Sequence, residues 1–137
     1  MQILKSTDRV RVKIGEIAFI LSPLKQAQKL ALSGMTIVKD GVEIQDVANQ
    51  ISYIVKYCVK GVEGVTDARG DAITLSFDPD GALNDDSHSE VFVIVNKAKQ
   101  HYQAMFQVAG NEIPKTIKDL VTGKEVKGAE VTVLPKT

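Results

Sequence analysis

The chain has one cysteine and no tryptophan. A single cysteine excludes an internal disulfide, so packing and hydrogen bonds must hold the fold. Charge of one sign is also missing, with 17 basic against 17 acidic residues. A dedicated nucleic-acid binder carries a basic surplus, so this balance argues against that class. No apolar run approaches the ~18 residues of a membrane span. The first residues, MQILKSTDRVRV, lack the apolar block of an export signal. These absences lead us to expect a chain kept in a reducing cytoplasm.

Catalytic and metal-binding patterns are equally sparse. The two histidines are His88 and His101. A hydrolytic set would need Cys58 with His101 and an acid, yet Cys58 sits in an apolar stripe, where a thiol is a small hydrophobe. His101 reads as a helix-face residue. The acids Asp78, Asp80, Asp85 and Asp86 suggest a calcium loop. Placing Gly81 at the sixth position puts Ser87 at the twelfth, where a bidentate glutamate is required. The cluster reads better as a solvated turn before a helix N-terminus. Arg69-Gly70-Asp71 reads as a loop, and Gly123-Lys124 lacks the glycine spacing of a phosphate loop. No zinc set exists, and no cofactor or metal is expected.

What is present is enough apolar residue, 44% of 137, for one ordinary domain. The segment VRVKI-GE-IAFIL predicts a hairpin with a type II′ turn at Gly15-Glu16. Its register pairs Ile14 with Ile17, Val12 with Phe19 and Val10 with Leu21, all on one face. Ser22-Pro23 predicts the start of a helix with Leu24, Ala27, Leu30 and Ala31 on its apolar face. Met35 to Val42 reads as a connection, turning at Asp40-Gly41, with Ile37 and Val38 tucked beneath it.

The organising element is Ile44 to Lys60, expected as a helix ending at Gly61. At 100° per residue, Ile44, Val47, Ala48, Ile51, Val55, Cys58 and Val59 form one apolar stripe. Tyr53 and Tyr57 fall opposite it. Two readings stand: a neighbouring element covers them or leaves them half exposed, or they form a partner-binding face with Ile54 at its margin.

Beyond it, Ile73, Leu75 and Phe77 alternate as a half-buried strand, with GVEGV as its partner, and Asp78-Pro79-Asp80-Gly81 is a turn. Ser87-His88-Ser89-Glu90 predicts a capping box. The helix after it carries Val91, Ile94, Val95, Ala98, Tyr102, Met105 and Ala109 on one stripe and runs to Gly110. From Asn111 the bulk falls away. Val126, Val131 and Val133 could form a small hairpin around Lys127-Gly128. The expected class is α+β: an N-terminal β-hairpin, two long amphipathic helices plus a shorter one, and a second small β element. Residues 1–110 would form one domain and 111–137 a C-terminal appendage.

In its order of elements the chain resembles the tail assembly chaperones of long-tailed bacteriophages. The resemblance is carried by VRVKIGEIAFILSPL, by YIVKYCVKGVEGV with its "C-V-x-G-hydrophobic-x-G-V" phrase at Cys58 to Val65, and by ITLSF. It covers about Val10 to Phe77 and contains no catalytic signature. The resemblance implies a non-enzymatic protein of the host cytoplasm that binds the tape measure protein and assists tail-tube subunits. It also implies a longer form made by ribosomal frameshifting, and it names no binding residues. A phage structural adaptor retained in the virion, for head–tail joining or decoration, is the alternative. Both readings call for protein partners, not nucleic acid or membrane, and leave self-association open.

Overall fold

The structure is a computed structural model that describes residues 1–135. It is α+β, as the pattern of periods predicts. Strands β1 (Val10–Ile14) and β2 (Ile17–Leu21) form the expected hairpin. Its register is Ile14 to Ile17, Val12 to Phe19 and Val10 to Leu21. Gly15 supplies the positive φ of +63° that the first turn position needs. Val10, Val12, Phe19 and Leu21 are fully buried. Arg11 points the other way, and its Nε donates to Glu63 Oε1 at 2.6 Å. That pair is partly exposed and adds little stability.

Helix α1 (Gln26–Ser33) begins later than Ser22-Pro23 suggests. Ser22, Pro23 and Leu24 instead form a buried extended strap. Ser22 N–H donates to Cys58 O at 2.9 Å and Leu24 N–H to Ala109 O at 3.3 Å. Those two bonds leave the strap's backbone no freedom to coil. Met35 to Val42 is no plain connection either. Strands β3 (Thr36–Lys39) and β4 (Val42–Gln45) make a second hairpin around Asp40-Gly41. Ile37 and Val38 lie on its surface rather than beneath it.

The organising helix α2 spans Val47–Cys58, shorter at both ends than the apolar stripe implies. Ile44 belongs to β4, and Asp46 caps the helix by accepting from Asn49 N–H. Its buried residues are Gln50, Ile54, Val55 and Cys58, so the core face is rotated from the expected stripe and Val47 is exposed. Strand β5 (Val59–Glu63) follows at once and pairs with β2, not with Ile73–Phe77. Residues 73–77 make no ladder, although Ile73 and Leu75 are still more buried than their neighbours.

The long C-terminal helix is two helices. Helix α3 (Asp85–Lys97) is capped by Asn84, whose side chain accepts from Ser87 N–H; no Ser87 capping box forms. A 3-10 turn, Lys99–His101, leads into α4 (Tyr102–Ala109). The break at Ala98 carries no glycine or proline. It drives His101 inward, contrary to the helix-face reading, until the ring meets Phe19 edge-on at 4.9 Å. Helix α2 packs against both α3 and α4.

The chain after Asn111 is part of this domain, not an appendage. Asn111 exchanges bonds with Leu4 (O from Leu4 N–H at 2.9 Å, Nδ2 to Leu4 O at 2.7 Å). Ile117 is buried. Strand β6 (Glu130–Val133) pairs antiparallel with β1, giving the sheet order β5-β2-β1-β6. The hairpin expected around Lys127-Gly128 does not form, because β1 offers a longer partner. Positions 136 and 137 of the expected appendage lie outside the described residues.

His101 sets an acid limit on stability. Its Nδ1 faces Ala98 O and its Nε2 faces Ile17 O, each at 3.1 Å. A neutral ring can donate to only one carbonyl. Burial nevertheless outweighs both contacts and lowers the pKa below the ordinary 6.5. The unfolded chain therefore takes the proton more readily. The ring's contribution is complete above its unfolded pKa and is lost as pH falls from there toward the folded value. Urea midpoints should drop as pH falls below the ordinary histidine value of 6.5, and His101→Gln should flatten that slope. An unchanged slope in the variant would assign it to other groups.

Candidate protein-binding surface

Three sequence-derived residues were expected to meet a partner. The structure separates them. Ile54 is 1% exposed and lies in the core, so it is not available to a partner. Tyr53 and Tyr57 stand together, half buried, with ring centroids 4.7 Å apart and tilted by 46°. Lys56 Nζ lies 5.6 Å from the Tyr57 ring. Burial raises the Tyr53 pKa, and the neighbouring Tyr57 adds to it. A groove of about 500 Å³ runs beside Tyr53 toward Met35, Asp46 and His88.

Sequence reasoning missed the larger surface. Antiparallel pairing sets Ile37 opposite Ile44 and Lys39 opposite Val42. Side chains of directly paired residues share a face, so Ile37, Ile44 and Val42 make one apolar side of the β3–β4 arm. Val38 stands on the other side. All four are exposed, Val38 at 74% and Val42 at 60%, and Val47, at the start of α2 just past the arm, is exposed as well. The signal was in the alternation of T-I-V-K and V-E-I-Q around Asp40-Gly41, which is a hairpin pattern in its own right.

The arm is anchored at its neck. Asp46 N–H donates to Met35 O at 2.9 Å. The buried Gln50 amide donates to Gln45 Oε1 at 2.5 Å and reaches Met35 O at 3.4 Å. A buried amide on the core helix thus fixes the base of an otherwise solvent-facing hairpin. An isolated two-stranded hairpin is marginal in water, so this neck matters.

His88 Nε2 lies 3.0 Å from Ser52 O and 3.4 Å from Ser52 Oγ. The carbonyl can only accept, so that nitrogen carries the proton and cannot take one from Ser52. Cys58 is fully buried and its thiol is pushed up to about 12, mainly by burial. No group of three or more metal-ligating side chains comes together among the described residues, and none of their helices is long and apolar enough to cross a membrane. Comparison with family models, with curated proteins and with solved structures finds no match to the chain.

Proposed function

We propose that the chain is a non-enzymatic tail assembly chaperone of the long-tailed phage type, working in the host cytoplasm. In this reading it binds the tape measure protein and keeps it soluble while tail-tube subunits assemble. The supporting observation is the exposed apolar arm, β3–β4, fixed to the core by Gln50. Contiguous apolar surface on a soluble chain marks an interaction site. Tyr53 and Tyr57 extend that surface along α2 with rings suited to contact. The glycines of the family-like phrase also have structural work here. A Cβ on Gly61 would meet Ile20 at 3.1 Å, and one on Gly64 would meet the Glu16 carbonyl.

The test is to sequence downstream of the gene for a long helical reading frame, the expected tape measure, and to co-express its product with the chain. The wild-type chain should hold that product in solution. Ile37→Asp with Val42→Asp should weaken the complex by about tenfold or more, since each buried apolar side chain contributes about 1.5 kcal/mol or more. Tyr53→Ala with Tyr57→Ala should weaken it as well. Folding should be unaffected by the arm changes, because both sites are already in water. Retained binding in both pairs would sink the proposal. Recovery of the chain in purified particles, at stoichiometric amounts, would favour the structural adaptor instead.

A further inference from the structure

We propose that the cleft between the start of β1, the Ser22–Leu24 strap and the Asp80-Gly81 turn is an oxyanion site that takes a phosphate group. The cleft is about 300 Å³ and is lined by Arg9, Lys25 and Lys60 with Ser22, Gln28 and Asp80. Three cations face one carboxylate, which leaves two positive charges, the complement of a phosphate dianion. Ser22 and Gln28 add neutral hydrogen-bonding groups. Lys25 also holds the N-cap position of α1 without a side-chain cap bond, and the first turn there has no acidic residue, so the helix dipole is not offset.

Lys60 is held in place rather than waving in solvent. Its Nζ donates to Gly81 O at 2.6 Å and lies 5.8 Å from the Phe77 ring centroid. Its pKa is lowered, first by burial and then by Arg9, with Lys25 contributing further down. Arg9 and Lys25 thus both repel Lys60 across the cleft. Asp80 opposes this least of all the named influences, and its Oδ1 already accepts from Ala82 N–H at 3.2 Å. A bound dianion would relieve the repulsion that Asp80 does not, which is why the cleft favours an anion over water.

The phosphate can come free or as an ester on a small molecule, and two titrations separate these sources. Inorganic phosphate and glycerol 3-phosphate are added to the full chain, with sodium chloride at matched ionic strength as the control. Amide NMR shifts at Ser22, Lys25 and Lys60 are followed. Saturable shifts with the phosphates and not with chloride are expected. Tighter binding of the ester would assign the site to organic phosphates; equal binding would assign it to the free ion. Lys60→Met and Arg9→Gln should each weaken binding by about tenfold. If Lys60→Met fails to fold, Arg9→Gln and Lys25→Gln carry the test, because neither side chain is buried. Shifts no larger than those with chloride, or full affinity in the folded variants, would overturn the assignment.

Discussion

Gly64→Ala should lower the free energy of unfolding by about 3–4 kcal/mol. Two costs combine. Gly64 has φ +84°, a conformation that side chains disfavour by about 1 kcal/mol. The added Cβ would also lie 1.8 Å from the Glu16 carbonyl oxygen, a backbone atom that no rotamer change can move. To make room, the β1–β2 turn must lift off the end of β5. The pairing of Ala18 with Glu63 sits beside that contact and would loosen with it. Gly70 provides the control. It has nearly the same φ, +85°, with nothing within 4 Å of a Cβ, so Gly70→Ala should cost only about 1 kcal/mol. Urea denaturation of the two variants measures the difference. Equal costs would show that the turn yields freely and that the close approach carries no weight.

Phe19→Ala should be the most damaging single truncation in the core, at about 3–5 kcal/mol. Phe19 is 0% exposed and lies on β2 between Val12 of β1 and Val62 of β5. Its ring also meets His101 from the 3-10 turn. Removing it leaves a cavity touched by the sheet on one side and the helices on the other, and neither can collapse without dragging the other. Against a typical total of about 5–15 kcal/mol, the variant would be marginal at best. Phe77→Ala makes the contrast, because that ring is 42% exposed and its loss should cost about 1 kcal/mol. Thermal and urea unfolding would rank the two; a reversed order would mean that the core is not centred on β2.

The N-terminal hairpin was readable in the sequence to the residue because two independent signals, a period of two and a Gly-first turn, fix the same register. The bounds of α2 were not readable. V-E-I-Q of β4 runs into the helix with only Asp46 between and no glycine or proline, so Ile44 fitted the helical stripe as well as its real strand. The rotation of the core face toward Ile54 has a related origin: the stripe was weighted by Ile44, which belongs to the arm, and by Val47 and Ala48, which the first turn of α2 leaves exposed. Ala98 hid the break between α3 and α4, since alanine is a good helix former and only tertiary packing of His101 interrupts it. Of the candidate surface, the sequence offered the tyrosines but not the arm. The phosphate cleft was invisible, because Arg9, Lys25 and Lys60 are distant in sequence and meet only once the strap crosses Cys58.

The pairing of Val10 with Val133 has a consequence for the order in which the molecule is made. β1, β2 and β5 have all been synthesised by residue 63, before either of the later helices. Yet the other edge of β1 stays bare until residues 130–133 emerge, and closing so long a loop is entropically slow. During that interval a row of amides and carbonyls between Val10 and Lys13 is open to any extended segment, including the last strand of a neighbouring nascent chain. Fidelity in synthesis thus depends on how quickly a four-residue strand finds its edge, and Leu134, whose N–H donates to Arg9 O at 2.8 Å, is the clasp that ends the wait.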